Sequence, residues 1–270
     1  MHNRVVVTNR GKTNPVMALD GDTSKLATPT DRVAGTELSR KEMRLILFNR
    51  AGSVNISALT PAQQMEHWEM EFRFHVLTHE IGVRRFLLSL AVKLPPNALI
   101  VDSGAHIGDT GIPLAQGLRD AGRSDVHVLM VEPDASKVAW IAKRIAQLGN
   151  VQASVVNSGL YSTTTRANIL RSETHPGGWV IVPNVADGEV QLRSVADILA
   201  AERPGDVFGL WHLDVEGTEL YALQGLGTHR PHFILMEVEH NSGAAQTYLQ
   251  ALDYKQVHTV GQDVLFEHQP

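Results

Sequence analysis

The sequence predicts an α/β fold in which a mostly parallel β-sheet of seven strands carries helices on both faces. Short apolar runs alternate with longer amphipathic segments, which is the pattern of repeated strand–helix units. A glycine-rich loop over residues 102–111 joins the first of these strands to its helix. Ligands of such sheets bind beyond the carboxyl ends of the strands, so the site is expected there.

The chain before the sheet divides into two predicted parts. Residues 1–37 mix a short β-like run with glycine, proline and threonine, and are expected to form a partly ordered arm. Residues 38–94 predict a helical cap. One helix is expected over 38–50, and a second begins at Thr60-Pro61, because threonine caps helices and proline is tolerated in the first turn.

Two histidines of the cap, His75 and His79, are four residues apart and therefore share a helix face. That spacing is compatible with a pair of metal ligands. No third ligand lies near them in the sequence, so they are interpreted as ordinary helix-surface histidines.

The glycine-rich loop contains Gly104, Gly108 and Gly111, a spacing that differs from the G-x-G-x-x-G pattern of dinucleotide sites. Asp102 stands directly before it, where an acid repels a pyrophosphate and attracts a cationic amine or sulfonium. Glu132 ends the next apolar run and can accept hydrogen bonds from both hydroxyls of a ribose. The loop therefore favours S-adenosylmethionine over NAD. The structural alternative is that both acids only cap local turns.

The remaining segments complete a predicted domain over residues 95–270. Residues 161–190 are rich in threonine, serine, glycine and proline and predict a hairpin-like insertion, followed by a helix over Gln191–Ala201. The chain ends in a predicted antiparallel hairpin that supplies the sixth and seventh strands. The predicted strands are Ala98–Val101, Val126–Glu132, Val151–Val156, Val207–Leu213, His232–Val238, Tyr254–Val260 and Asp263–His268.

A second informative stretch ends the fourth strand. His212, Asp214 and Glu216 share one face of the extended chain and emerge together at the carboxyl edge, so each is a candidate base. The structural alternative is that Asp214 caps the next helix and Glu216 bonds to backbone in the turn. Glu237 ends the neighbouring strand, and Asp214 with Glu237 could hold Mg²⁺.

Composition excludes several classes of chemistry. The 270 residues include no cysteine, which rules out disulfides and thiolate sites. The net charge is −5 and no basic stretch occurs, so no nucleic-acid partner is expected. No apolar run reaches the length of a membrane span and no signal peptide is evident, so a soluble cytoplasmic protein is expected.

The stretches Val101–Thr110, Val131–Pro133, Leu213–Glu219 and Ile234–Glu237 together resemble the FkbM-type methyltransferases, over about residues 97–240. The resemblance implies a Rossmann-like class I methyltransferase sheet that binds S-adenosylmethionine, with Asp214 and Glu216 at the reaction centre. His106 stands where asparagine is common in that family, and His212 where lysine is common. The cofactor-binding candidates are Asp102, Gly104, His106, Gly108, Asp109, Thr110, Glu132, Pro133, Ser158 and Asp214.

The function that the resemblance implies is O-methylation of a hydroxyl on a sugar, glycan or small natural product, and the helical cap and the insertion are expected to recognise the acceptor. A metal-assisted O-methyltransferase using Mg²⁺ is the first alternative. An NAD-dependent oxidoreductase and a non-catalytic cofactor-binding protein are the others. The loop spacing and the intact Asp214–Gly217 stretch count against these last two.

Overall fold

The computed structural model of the chain describes residues 56–171, 179–183, 185–238 and 243–269. The arm expected over 1–37 and the helix expected over 38–50 lie outside these ranges. The helices are α1 (Pro61–Thr78), α2 (Ile81–Ala91), α3 (Gly111–Asp120), α4 (Ala135–Leu148), α5 (Val195–Glu202), α6 (Glu219–Gln224) and α7 (Gly243–Ala251). The strands are β1 (Ala98–Ser103), β2 (His127–Glu132), β3 (Ala153–Asn157), β4 (Gly159–Leu160), β5 (Thr165–Arg171), β6 (Trp179–Pro183), β7 (Val190–Arg193), β8 (Val207–Leu213), β9 (Phe233–Glu237), β10 (Tyr254–Val260) and β11 (Asp263–His268).

Seven strands form the main sheet in the order β10-β11-β9-β8-β1-β2-β3, which confirms the predicted α/β fold. Neighbours from β9 to β3 run parallel, because helical crossovers return the chain to the same end of the sheet. The last strand, β11, lies between β9 and β10 and is antiparallel to both. The predicted C-terminal hairpin therefore completes the sheet by inserting its second strand next to β9.

Helices cover both faces of this sheet. Every residue of β1 and β2 is buried, as expected of parallel strands that are covered on both sides. One apolar core lies beneath α1 to α4, and a second lies beneath α5 to α7. Within the described residues, no helix is both long and apolar enough to cross a membrane.

The first residue of α1 is determined by hydrogen bonds between residues that are close in the sequence. The backbone N–H of Gln63 donates to the Thr60 hydroxyl, and the Thr60 backbone N–H donates to the Gln63 side chain. This capping box satisfies two of the N–H groups that a helix start leaves unpaired. The buried residues Trp68 and Phe72 then place one face of α1 against the main core.

The segment between β3 and α5 forms a second sheet of four strands in the order β4-β7-β5-β6. β5 and β6 pair antiparallel, and the turn between them includes residues outside the described ranges. The predicted helix Gln191–Ala201 was wrong at its start, because Val190–Arg193 forms β7 and α5 begins at Val195. Val190 and Leu192 are buried against Ala167 of β5, a cross-strand contact that helical periodicity does not reveal.

Candidate active site at the carboxyl edge of the sheet

The acids predicted from the strand ends meet along one edge of the main sheet. Asp102 lies near the end of β1, in register with His212 of β8. Glu132 is the last residue of β2, Asp214 follows β8 directly, and Glu237 ends β9. Because these four strands are adjacent and parallel, their carboxyl ends and the loops that follow them lie together.

The glycines of the loop are required by close packing within the protein. Gly104 and Gly108 each have a φ of +74°, which side chains rarely adopt. A Cβ on Gly104 would overlap the backbone carbonyl oxygen of Asp214. A Cβ on Gly111 would come within 2.6 Å of Asp102 Oδ2. The loop therefore approaches the backbone of the chain after β8 at Gly104, and the start of α3 packs against the Asp102 side chain at Gly111.

Glu132 ties this loop to the start of α4. Its Oε2 accepts the backbone N–H of His106 at 2.9 Å, and its Oε1 accepts the backbone N–H of Asp134 at 3.0 Å. Only 3% of Glu132 is exposed, and this burial raises the pKa of its carboxyl. Each carboxylate oxygen retains a further acceptor site, so the hydroxyls of a ribose can still donate to it.

Asp102 and His212 form a buried ion pair beneath the loop. His212 Nδ1 lies 2.7 Å from Asp102 Oδ1, and its Nε2 lies 4.0 Å from Asp263 Oδ1. Burial lowers the pKa of His212, but the hydrogen bond to Asp102 and the charges of Asp102, Asp214 and Asp263 outweigh it and raise that pKa to about 9. His212 is therefore a cation near neutral pH and holds no free lone pair with which to accept a proton. Its geometry favours charge compensation over the predicted role of base.

Replacement of His212 by glutamine should change how stability depends on pH. A histidine whose pKa is raised from 6.5 to about 9 stabilises the fold below pH 6.5, and this contribution is lost as the pH rises through 9. We expect the stability advantage of the wild-type protein over His212→Gln to shrink by up to about 3 kcal/mol between about pH 6.5 and pH 9.5. Urea unfolding at a series of pH values measures this difference, and a constant difference would contradict the assignment.

Three buried polar atoms of this site make no hydrogen bond within the described residues: Asp102 Oδ2, His212 Nε2 and Asp214 Oδ1. Burial raises the pKa of Asp214 well above its usual range, against the opposing charge of His212. Nearby carboxylates add to the rise: Glu237, Glu80 and Glu216. A buried oxygen without a partner, on a carboxyl that is readily protonated, is typical of a group that exchanges a proton with a ligand.

The other predicted site residues surround this edge. Glu216 is exposed in the turn after Asp214, with a φ of +51°. Asp109 and Thr110 are buried at the start of α3, and Pro133 follows Glu132. Ser158 is fully buried, and its hydroxyl lies 2.8 Å from the neighbouring carbonyl oxygen, to which it donates. The roles assigned to these residues remain predictions.

Sequence reasoning missed one cluster next to the loop. His75 of α1 meets His106 and Asp109, and their ligand atoms lie within 4.8 Å of one another. Within the described part of the chain, this is the group of three residues whose side chains are close enough to hold a metal ion. The predicted pair Asp214 and Glu237 does not belong to it. The Mg²⁺ expectation is therefore not supported. α1 supplies one of these ligands and the loop after β1 supplies the other two, so only folding brings them together.

Comparisons with known proteins bear on the class of the site. No model of a protein family matches the chain. A curated relative, ribosomal RNA small subunit methyltransferase G from Moorella thermoacetica, is 25% identical over 202 residues, which cover 65% of this chain and 77% of the relative. A solved methyltransferase from Geobacter sulfurreducens is 14% identical and has a TM-score of 0.46, with 84% of this chain and 98% of that chain covered. The SAH-bound methyltransferase PaMTH1 from Podospora anserina is 9% identical and has a TM-score of 0.45, with 88% and 100% covered.

The relative corrects one expectation and does not support another. The expectation that nucleic acid is not involved was wrong, because the relative is a ribosomal RNA methyltransferase. A net charge of −5 describes the whole chain and does not report the charge of a local binding surface. The FkbM subtype is not shown by these comparisons. Together with the strand order of the sheet, the relative supports the broader class, that of S-adenosylmethionine-dependent class I methyltransferases.

Proposed function

We propose that this protein transfers the methyl group of S-adenosylmethionine to an acceptor oxygen, with Asp214 as the general base. The observation that carries the proposal is the unbonded, buried Oδ1 of Asp214 beside the glycine-rich loop. S-adenosylmethionine, when bound, supplies an activated methyl group on a positively charged sulfur. The acidic side chains at this edge attract that cation, and the Glu132 carboxylate is suited to accept hydrogen bonds from the hydroxyls of its ribose.

The chain's part in the reaction is to align the acceptor and remove its proton. During transfer the carbon–sulfur bond breaks and a carbon–oxygen bond forms, so the acceptor hydroxyl must release a proton. Asp214 takes that proton on its carboxylate. Its raised pKa brings it closer to that of the group it deprotonates, which favours general-base catalysis. The positive charge of His212, which is held by Asp102, opposes this rise in the pKa of Asp214.

The acceptor proposed first is a hydroxyl of a sugar, glycan or small natural product, as the FkbM-type resemblance of Val101–Thr110 and Leu213–Glu219 implies. A ribosomal RNA acceptor is the second candidate, because the relative with 25% identity carries that name. An assay with radiolabelled S-adenosylmethionine should compare hydroxylated small molecules and glycans with ribosomal RNA. If the radiolabel enters only the ribosomal RNA, the acceptor is RNA and the proposed sugar, glycan or small-molecule acceptor is wrong.

Replacement of Glu132 should weaken binding of the cofactor product. We expect Glu132→Ala to lower the affinity for S-adenosylhomocysteine by about 1–3 kcal/mol, because ribose hydrogen bonds to a buried carboxylate are lost. Calorimetric titration measures this change, with NADH as a competing ligand class. Glu132→Gln is the matched control, since it preserves shape and one acceptor oxygen and should give an intermediate loss.

Thermal unfolding of both variants separates binding from folding, because Glu132 also anchors the loop through His106. Unchanged affinity in folded Glu132→Ala would remove Glu132 from the cofactor site. Tight binding of NADH with no binding of S-adenosylhomocysteine would overturn the methyltransferase proposal itself.

A further inference from the structure

The histidine cluster beside the loop joins two parts of the chain that the sequence keeps apart. His75 Nδ1 lies 3.3 Å from Asp109 Oδ2, and His106 Nδ1 lies 3.6 Å from Asp109 Oδ1. The Asp109 carboxylate thus stands between two imidazole nitrogens, one from α1 and one from the loop. The exposed fractions of these side chains are 13% for His75, 34% for His106 and 8% for Asp109, so the cluster is largely enclosed.

These separations leave room for a cation, and they also allow the weak hydrogen bonds that join Asp109 to both histidines. Strong hydrogen bonds between nitrogen and a carboxylate oxygen are about 2.7–2.9 Å long, which is shorter than either separation here. Ligands at about 2.0–2.1 Å from a tetrahedral ion lie about 3.4 Å from one another. The 3.3 Å separation joins His75 to Oδ2 of Asp109 and the 3.6 Å separation joins His106 to Oδ1, and one ligand atom from each residue lies within 4.8 Å of the other two.

The orientation of the His75 ring supports the same conclusion. Its Nε2 lies 3.5 Å from Glu71 Oε2, one helical turn earlier, while its Nδ1 faces Asp109. A proton on Nε2, directed towards Glu71, leaves the lone pair of Nδ1 directed towards the Asp109 carboxylate. Two electron-rich atoms in that arrangement repel each other unless a second proton or a metal cation lies between them. A carboxylate behind a ligating histidine is the usual outer partner of a protein metal site.

We propose that His75, His106 and Asp109 bind a divalent transition-metal ion of the zinc type, with Glu71 orienting His75. Two imidazoles and one carboxylate suit Zn²⁺ and its first-row neighbours, whereas Mg²⁺ and Ca²⁺ prefer oxygen ligands. Three protein ligands leave a coordination position open. Two of the three ligands, His106 and Asp109, are also predicted cofactor-binding residues, and the His106 backbone N–H donates to Glu132, so the ion would lie at the edge of the predicted cofactor site. This inference does not depend on the proposed methyl transfer.

The test is a metal titration of the full chain after removal of metals with a chelator. Co²⁺ serves as the spectroscopic probe and Zn²⁺ as its competitor, with Mg²⁺ in a separate titration. We expect one equivalent of Co²⁺ to bind with visible absorption typical of low coordination number, to be displaced by Zn²⁺, and to be unaffected by millimolar Mg²⁺. Repeating the titration with S-adenosylhomocysteine keeps the result distinct from cofactor binding.

Three variants assign the site to its residues. His75→Gln and His106→Asn should each weaken Co²⁺ binding by more than about tenfold, since each loses a nitrogen ligand. His79→Gln is the matched control, because His79 directly follows the same helix, has 56% of its side chain exposed and is outside the cluster. It should bind Co²⁺ within about twofold of the wild-type protein. Asparagine tolerates the φ of +51° at position 106, so His106→Asn is expected to fold.

Two results would overturn the proposal. One is the absence of stoichiometric Co²⁺ or Zn²⁺ binding to the folded wild-type protein, which would leave the cluster as a set of histidine–carboxylate ion pairs. The other is equal loss of binding in His79→Gln, which would place the ion on surface histidines. Circular dichroism of each variant confirms that it is folded before the titration is interpreted.

Discussion

The variant Gly104→Ala is expected to lose about 2–5 kcal/mol of folding free energy. A left-handed backbone costs a residue with a side chain about 1–2 kcal/mol, and forcing extra volume into a packed site costs about 1–3 kcal/mol more. Here the added methyl group would overlap the carbonyl oxygen of Asp214, which is backbone and cannot rotate away. To relieve this overlap, either the loop or the chain after β8 would have to move away from the other at the edge of the main sheet.

Gly122→Ala separates the two contributions. Gly122 has a φ of +76°, almost the same as the +74° of Gly104, but a Cβ there has no heavy atom within 4 Å. We therefore expect Gly122→Ala to cost only the backbone term of about 1–2 kcal/mol. Chemical unfolding of both variants measures the difference. Equal losses would show that the close approach of Asp214 to Gly104 has no energetic consequence.

The variant Asp214→Asn is expected to lower kcat by about 10²–10⁴-fold, the range associated with loss of a general base. Asparagine has nearly the same shape and leaves the backbone contact with Gly104 in place, so folding should be preserved. The affinity for S-adenosylhomocysteine should stay within a few-fold. Single-turnover assays with an identified acceptor measure the loss of rate, and calorimetry measures binding. Full activity of Asp214→Asn would exclude Asp214 from the chemistry.

Glu216→Gln provides the comparison for that experiment. Glu216 belongs to the same motif but is exposed in the turn, so its replacement should affect kcat much less than Asp214→Asn. A larger loss in Glu216→Gln would transfer the role of base to Glu216. The rate of the wild-type protein should also fall as the pH drops through the raised pKa of Asp214, because the protonated carboxyl cannot accept a proton.

The elements that local sequence determines are the ones that it predicted well. The bounds of β8, β10 and β11 coincide with those of the predicted strands Val207–Leu213, Tyr254–Val260 and Asp263–His268. The start of α1 follows from the Thr60 cap. Burial on both faces and capping hydrogen bonds involve neighbours within a few residues, so a single sequence contains the information. β7 was missed because its partner strands are distant in the chain and its burial depends on them.

For the candidate active site too, some features follow from the sequence and others only from the tertiary structure. The sequence by itself determined which acids end the strands, because strand ends are set by apolar runs, and it therefore placed Asp102, Glu132 and Asp214 at one edge. Only the tertiary structure decided what these groups do to one another. It converted His212 from a candidate base into the cation that faces Asp102, and it made Gly104 a contact for Asp214. It also brought His75 to Asp109 across the interface of cap and loop. The physical reason is that pKa values and ligand sets depend on the distances between side chains of different elements, and packing alone sets those distances.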